Sequence, residues 1–231
     1  MKILSADTSS RRGGVCLACA EQVICELNVN LGLTFSQKLL EMIDTVLQLA
    51  ETNLEQLDAL VVVTGPGSFT GLRVGIASMK ALALRLQRPL VGVTSLDALA
   101  ESALTRGTVA AFMDARRGQV FAALYTRDSA LAPPVMIREA EVEAPGRWIA
   151  SLSREDVKFV GDGTQIYRDL IEQAGHRVIP SDCFIARSAV CSALRKLKSG
   201  DLPAADLIDA YYVRPPDADT GAGQTVKAKT R

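Results

Sequence analysis

The stretch TGPGSFTGLRVG, residues 64–75, has the residue types of a nucleotide-binding loop: glycines, hydroxyl groups and an arginine between a valine run and an apolar helix. Such a loop can hold phosphate because the backbone N–H groups at a helix N-terminus attract anions. The spacing fits neither well-defined phosphate motif. A Walker A loop has a lysine directly after its last glycine, and here the first lysine downstream is Lys80, deep in the helix. A dinucleotide fingerprint is G-x-G-x-x-G, whereas Gly65, Gly67 and Gly71 leave a gap that is one residue too long.

The same loop is better explained as a structural turn. No Asp or Glu occurs between Asp58 and Asp97, so the acidic residue that holds the ribose in dinucleotide sites is missing as well. Gly65-Pro66-Gly67 is typical of a tight turn after a buried strand, and Ser68 is a favourable N-cap for the helix that follows. We therefore expect a turn and a helix without a phosphate site of their own.

Cysteine and histidine offer little further chemistry. Cys16 and Cys19 have the spacing of half a zinc or redox site, but no second pair and no nearby histidine complete it. They lie in the apolar stretch GVCLACA, which predicts that both are buried. The single histidine, His176, lies in a surface-like AGHRV turn, where we expect it to be solvated rather than a metal ligand. A peptidase or acyl transferase needs a nucleophile beside a base, and this histidine is outside any such motif.

Composition limits the class of protein. The chain has 231 residues, of which 48% are hydrophobic, so it can bury a real core. The 26 basic and 26 acidic side chains cancel, which disfavours autonomous nucleic-acid binding. No apolar run is long enough to span a membrane, and Met1 is followed directly by a strand-like segment without a signal-peptide layout. We expect a globular cytoplasmic protein.

The elements that position the glycine loop follow the order β-β-β-α-β-α-β-α over residues 1–104. Three short strands should form an antiparallel meander, and a helix over about residues 34–52 has Thr34 as its expected N-cap. ALVVV predicts a strand covered on both faces, and the helix after the glycine loop extends to about residue 87. A further strand and a helix capped by Ser95 complete this part.

The pattern restarts near residue 105. In each half a strand ends in an aspartate, Asp7 or Asp114, and an Arg-Arg-Gly turn and a returning apolar strand follow. Two related halves would give a bilobal α/β protein with a cleft between the lobes. We predict a first lobe over residues 1–104, a second lobe over 105–216 and a flexible tail over 217–231, which lacks apolar periodicity.

The helix FTGLRVGIASMKALALRLQ is apolar on nearly every face, with small residues between the large ones. Such a helix belongs either to a deep core or to an interface, and we favour a contact with another protein. The alternative is that the preceding helix covers it within the same chain. On the interface hypothesis, a large charged residue at Gly75 or Ala81 should abolish partner binding and leave the fold intact.

Several motifs together resemble one family: LSADTSS, GPGSFTGLRVG, SLDALA, MDARRGQVFAALY and YYVRP. They are similar to the TsaB family of bacterial tRNA threonylcarbamoyladenosine biosynthesis proteins, and the likeness extends to about Pro216. The resemblance implies an α/β, two-lobed actin/Hsp70-like (ASKHA) fold in which each lobe is a mixed sheet flanked by helices. It also implies a chain that is not an enzyme on its own and that has neither a catalytic residue nor a metal ligand.

The resemblance further implies partners. The family acts with a catalytic TsaD-like paralogue and a TsaE-like ATPase, which together transfer a threonylcarbamoyl group to the adenosine beside the anticodon of ANN-decoding tRNAs. It binds TsaD, or a second copy of itself, through two helices of the first lobe, and it meets tRNA through the complex. The corresponding residues here are Phe35, Leu39, Ile43, Val46, Leu72, Gly75, Ile76, Met79 and Leu82.

Nucleotide binding is a separate expectation of the same resemblance. Members of the superfamily cradle phosphates in two hairpins, each with an aspartate. The matching residues here are Asp7, Thr8, Ser9, Asp114, Gly161 and Gly163. Asp7 lacks the usual D-x-G continuation, so a vestigial site is expected, with no cofactor bound by the single chain and ATP only at a heteromer interface. The alternative function is an ATP-dependent small-molecule kinase of the same fold.

Overall fold

The structure is a computed structural model that describes residues 1–30, 35, 38–153, 156–200 and 202–213. The first sheet contains β1 Lys2–Asp7, β2 Arg12–Cys19, β3 Gln22–Asn30, β4 Ala59–Gly65 and β5 Leu90–Thr94. Its strand order is β3-β2-β1-β4-β5, in which β1, β2 and β3 pair antiparallel and β1, β4 and β5 pair parallel. The predicted meander is therefore confirmed, and it is continued by a parallel half.

The second sheet repeats this arrangement. It contains β6 Gly107–Arg116, β7 Gln119–Arg127, β8 Val135–Glu143, β9 Lys158–Val160 and β10 Arg177–Val178. Its strand order is β10-β9-β6-β7-β8. In this sheet β6, β7 and β8 pair antiparallel and β6, β9 and β10 pair parallel, so they correspond to β1, β2, β3, β4 and β5 of the first sheet. The repeat that was inferred from Asp7 and Asp114 is thus present in the strand order. The described part of the chain confirms the expected α/β fold with two mixed sheets.

Seven α-helices are described: α1 Leu39–Leu49, α2 Phe69–Leu86, α3 Ser95–Ser102, α4 Pro145–Ala150, α5 Gly163–Ile166, α6 Arg168–Gln173 and α7 Ala186–Ser199. Ser68 caps α2 as predicted, since its hydroxyl accepts a hydrogen bond from the Gly71 N–H at 3.3 Å. The N-cap of α3 is Thr94 rather than Ser95. α1 starts at Leu39, and the predicted cap Thr34 lies outside the described residues. α4 was not predicted.

The helices and sheets form five layers. α1 and α2 cover one face of the first sheet, and α3 and α7 fill the space between the two sheets. α4, α5 and α6 lie on the outer side of the second sheet, where Trp148 packs among Phe112 and Phe159. Because α7 follows β10 in the chain but packs against β1, β2, β4 and β5, the polypeptide crosses between the lobes. The lobe limits at residues 104 and 216 stay predictions, and residues 217–231 lie outside the described residues.

A buried ion-pair network joins the two halves. The Arg127 side chain on β7 is 1% exposed, and its guanidinium lies 3.5 Å from the Glu101 carboxylate on α3. Arg127 also donates hydrogen bonds to the Ala100 and Glu101 carbonyl oxygens, at 3.2 and 3.0 Å, which satisfies the end of α3. Arg195 on α7 binds the other oxygen of Glu101. One carboxylate thus connects α3, β7 and α7.

Two expectations about single side chains are corrected. Cys16 is buried as predicted, but Cys19 is exposed because it ends β2. His176 is only 8% exposed, and its ring stacks on Phe159 with the centroids 5.5 Å apart, so it is not the solvated side chain that its turn suggested. Burial lowers the pKa of His176. In the part of the chain that the structure describes, no helix combines the length and apolar character needed to cross a bilayer.

Candidate functional site

The glycine loop lies directly against the segment that follows β1. The Ser68 N–H donates to the Ser9 carbonyl oxygen at 2.6 Å, and the Thr8 hydroxyl donates to the Gly71 carbonyl oxygen at 2.7 Å. A Cβ atom at Gly67 or Gly71 would overlap the backbone of Ser9 or Thr8. The glycines therefore allow the start of α2 to approach the β1–β2 turn closely. This close contact explains the loop without a phosphate group.

The predicted phosphate-contacting residues of the first hairpin are enclosed by this contact. Asp7, Thr8 and Ser9 are each 1% exposed. The Asp7 Oδ1 atom accepts a hydrogen bond from the Ser9 N–H at 2.8 Å, which closes the turn. Burial raises the pKa of Asp7 from 3.8 to about 6, and the hydrogen bonds from Ser9 partly oppose that shift.

The second predicted group, around Asp114 and Asp162, feels the charge of an arginine in the first hairpin. The Asp114 N–H donates to the Asp162 Oδ1 atom at 3.0 Å, and the Asp114 Oδ1 atom accepts from the Arg116 N–H at 2.9 Å. Burial raises the pKa of Asp162, and the charge of Arg12, at the start of β2, opposes it. Burial also raises the pKa of Cys183, and Arg12 again opposes that shift. An arginine of the first hairpin therefore lies close to the Asp162 turn of the second lobe.

The fit of ATP to these residues can be tested on their packing. The carboxylates of Asp114 and Asp162 accept N–H groups of this chain, and Gly161 is tightly packed because a Cβ there would overlap the Phe112 carbonyl oxygen. A Cβ at Gly163 would meet the same oxygen at 3.0 Å. With Asp7, Thr8 and Ser9 enclosed as well, the residues present do not form an open cradle for phosphates. Nucleotide binding at the six predicted residues stays a prediction, and the kinase alternative gains no support from this geometry.

The side chains predicted for the partner interface pack within the chain's own first lobe. Within the chain's own fold, the side chains of α1 and α2 that face the first sheet are buried against it, most of them no more than 5% exposed. Eight of the nine residues predicted for the interface are buried in this way: Phe35, Leu39, Ile43, Val46, Leu72, Gly75, Ile76 and Met79. A role for them in binding a partner stays a prediction. Leu82 is half-buried. The alternative that the two helices cover the core within the same chain accounts for these residues.

Gly75 shows this packing within the chain most clearly. A Cβ at Gly75 would overlap the Thr8 hydroxyl group, so this glycine packs α2 against the end of β1. A large charged residue there would damage the fold, contrary to the prediction that it would leave the fold intact. Ala81 is exposed on the opposite face of α2 and suits the same experiment.

The outward face of the helix pair remains uncovered in the single chain. Leu40 on α1 is 59% exposed and Leu84 on α2 is 67% exposed, with the exposed Ala77 and Ala81 on the same face of α2. A groove of about 610 Å³ adjoins this face. Its apolar and acidic lining residues are Leu40, Ile43, Leu47, Leu54, Leu82, Asp44, Glu51 and Glu55. Leu40 of α1 and Leu82 of α2 line this groove, and Leu84 with Ala77 and Ala81 lies on another part of the exposed surface of α2. The helix pair therefore leaves apolar surface open to solvent.

One feature beside the N-terminus of α2 was not predicted. Residues 205–213 return from α7 to the first lobe, where the Tyr211 N–H donates to the Thr64 carbonyl oxygen at 2.8 Å. We call this segment the C-terminal strap. Its Tyr212 ring lies 5.4 Å from that of Phe69, centroid to centroid. The YYVRP motif contributes to the family resemblance, but no local pattern in the sequence predicts where this segment packs.

Metal chemistry has little to build on in the described residues. Among residues 1–30, 35, 38–153, 156–200 and 202–213, no three His, Cys, Asp or Glu side chains lie close enough together to hold a metal ion.

The repeated sheets with a helix layer between them define the class: the chain has the actin/Hsp70-like (ASKHA) fold. The family model of TsaD, tRNA N6-adenosine threonylcarbamoyltransferase, matches residues 33–204. The chain therefore belongs to the family of TsaD and TsaB proteins, and its relatives place it with TsaB.

The most informative relatives agree with each other. The tRNA threonylcarbamoyladenosine biosynthesis protein TsaB of Bacillus subtilis is 33% identical over 175 residues, which cover 74% of this chain and 76% of that protein. TsaB of Escherichia coli is 31% identical over 193 residues, with 76% and 77% covered. The solved structure of YeaZ from Pseudomonas aeruginosa superposes with a TM-score of 0.81 at 26% identity, and covers 91% of this chain and 99% of that one.

Proposed function

We propose that this chain is a non-catalytic subunit of the assembly that transfers a threonylcarbamoyl group to the adenosine beside the anticodon of ANN-decoding tRNAs. In this proposal it acts in the cytoplasm, activates a TsaD-like catalytic paralogue by pairing with it, and works beside a TsaE-like ATPase. tRNA is bound by the complex rather than by this chain alone. The free chain would use the same surface to pair with a second copy.

The observation that carries the proposal is the uncovered outward face of α1 and α2. Leu40 and Leu84 are large apolar side chains held in solvent on regular helices, and small residues lie beside Leu84. Small residues permit close approach of another helix, and a pair of helices can pack with a second pair as a bundle. A surface of this kind is typical of protein–protein contact. The family membership supplies the partner, and the enclosed Asp7–Ser9 segment supports a role without phosphate chemistry in this subunit.

The proposed surface can be tested by charge insertion at its centre. In a Leu84→Arg variant, a guanidinium would have to be desolvated between the two proteins, so we expect the variant to fold normally and to stop co-eluting with the TsaD-like paralogue. The measurement is size-exclusion chromatography of equimolar mixtures, with circular dichroism of the variant alone.

Leu131 supplies the matched control. It is 87% exposed and lies between β7 and β8 in the second lobe, far along the chain from the helix pair. The Leu131→Arg variant carries the same change in charge and should co-elute as the wild type does. Co-elution of Leu84→Arg at wild-type level would contradict the proposed surface, and loss of binding in both variants would show that any added charge suffices.

A further inference from the structure

The exposed aromatic side chains are concentrated at one place. The chain has six Phe, four Tyr and one Trp, all within the described residues, and only Phe69, Tyr211 and Tyr212 are exposed. Their exposed fractions are 37, 41 and 36%. Phe69 is the first residue of α2, and both tyrosines belong to the C-terminal strap. Every other aromatic ring is at least half-buried, so this cluster differs from the rest of the surface.

The chain holds this cluster in place with several contacts. Ile208 is 5% exposed and packs into the core below α1 and α2, and the Lys80 ammonium group donates to the Asp206 carbonyl oxygen at 2.9 Å. The Tyr211 N–H bond to Thr64 fixes the next part of the strap beside β4. Tyr212 is thereby placed against Phe69, and the Arg73 guanidinium carbon lies 3.9 Å from the centroid of the same Phe69 ring. The rings and the guanidinium are therefore in contact with each other within the single chain.

The cluster is continuous with the outward face of α2. Phe69, Arg73, Ala77, Ala81 and Leu84 follow each other at intervals of three or four residues and are all exposed, so they form one stripe along the helix. Aromatic residues and arginine dominate the energetic centres of protein interfaces, where a few anchoring side chains contribute most of the affinity. Ordering such side chains in advance lowers the entropy lost on binding.

Charge indicates what kind of surface would cover the stripe. No acidic residue occurs between Asp58 and Asp97, and α2 with the turn after it carries Arg73, Lys80, Arg85 and Arg88. None of these four makes an ion pair with another residue that the structure describes. A complementary partner would bring carboxylates to the arginines and apolar side chains to the alanines and Leu84. RNA is less suited, because an apolar ridge runs between the cations and the whole chain has no net charge.

From this arrangement we infer that Phe69, Arg73 and Tyr212 form the anchor of the partner-binding surface, and that the C-terminal strap is part of that surface. The occupant is an acidic and apolar surface of the TsaD-like paralogue, so the inference rests on the proposed function. Its new content is that binding depends on a residue of the strap, which follows α7 and lies far in sequence from α1 and α2. The YYVRP motif thereby acquires a role in assembly.

The test measures the dissociation constant of the complex between this chain and the paralogue by isothermal titration calorimetry. We expect Tyr212→Ala and Arg73→Glu each to weaken binding by about tenfold or more, as anchors do. Tyr212→Phe retains the ring on Phe69 and should bind like the wild type, as should Leu131→Ala, which removes an exposed side chain elsewhere. Arg73→Glu leaves the strap untouched, so it reports on the anchor even if Tyr212→Ala loosens the strap.

The outcomes separate this inference from the proposed function. No binding by the wild-type chain would contradict the proposed function itself. Wild-type binding that is lost in Leu84→Arg but kept in both Tyr212→Ala and Arg73→Glu would overturn the anchor alone. A loss that appears only in self-association, or only in the affinity for tRNA, would also overturn it, because the occupant would then be a second copy or RNA.

Discussion

Asp7 illustrates how a residue that the family resemblance suggests for phosphate binding can be enclosed by its own chain. Its carboxyl group is 1% exposed, and the turn that it closes packs against α2. Burial disfavours the charged form, which raises the pKa of Asp7 to about 6. At neutral pH the folded state therefore carries a buried carboxylate at a cost in stability.

This cost predicts a pH dependence. Between about pH 4 and pH 6 the folded state keeps a proton that the unfolded chain releases, so the contribution of Asp7 to the free energy of unfolding falls as pH rises through that window. Asp7→Asn removes the titration and keeps an oxygen for the Ser9 N–H. The stability of the variant relative to the wild type should thus be greater at pH 7 than at pH 4, by up to about 3 kcal/mol, since one pKa unit corresponds to about 1.4 kcal/mol. Urea unfolding at both values measures it, and a difference that does not change with pH would contradict the assignment.

At the residue scale, the sequence correctly predicted features that depend on neighbouring residues in the chain. Ser68 was identified as the cap of α2 because a capping hydroxyl needs only its neighbours in the chain. The burial of Cys16 followed from its apolar strand. The errors came where tertiary packing decides: Cys19 is exposed at a strand end, and His176 is covered by Phe159 from a different strand.

For α2, the sequence does not show which face is buried and which is exposed. Its large apolar side chains Leu72, Ile76 and Met79 point to the sheet, while Ala77, Ala81 and Leu84 point outward. Periodicity separated these two faces poorly because both are apolar. It does not say which face the sheet covers, and most of the α2 residues predicted for the interface lie on the covered face. The glycines at positions 67, 71 and 75 are explained only by the approach of Thr8 and Ser9 from another element.

A pair of glycine substitutions tests that explanation. Gly71 and Gly146 both lie in the first turn of a helix, but a Cβ at Gly71 would overlap the Thr8 carbonyl oxygen, whereas one at Gly146 would meet nothing within 4 Å. We expect Gly71→Ala to lower the free energy of unfolding by about 1–3 kcal/mol through overpacking. Gly146→Ala should be neutral or stabilising by up to about 1 kcal/mol, as alanine favours helix. Thermal unfolding compares them, and equal midpoints would show that the close approach is not required.

The whole molecule is held together by segments that cross between its halves. α7 packs on the first sheet although it follows the second, and the strap then continues to α2. Arg127, Glu101 and Arg195 connect β7, α3 and α7 across the central layer. The repeat around Asp7 and Asp114 predicted two related halves, and both sheets have the corresponding strand order. The crossing of α7 and the strap could not be predicted, because such long-range contacts leave no periodic pattern in the sequence.

In the proposed function, the chain has a task in assembly rather than in chemistry. The first lobe encloses Asp7, Thr8 and Ser9, and the apolar helix face and the aromatic cluster with Arg73 remain open. An activator of a paralogue requires an open contact surface and does not require a phosphate site.

The central claim is tested most directly by reconstituting threonylcarbamoyl transfer to an ANN-decoding tRNA from purified components, with threonylcarbamoyl-AMP as the donor. The account predicts transfer when this chain is combined with the TsaD-like paralogue and the TsaE-like ATPase, a loss of most of that transfer when this chain is omitted, and none from this chain alone. Modified tRNA formed by this chain by itself, or formed equally well without it, would contradict the account.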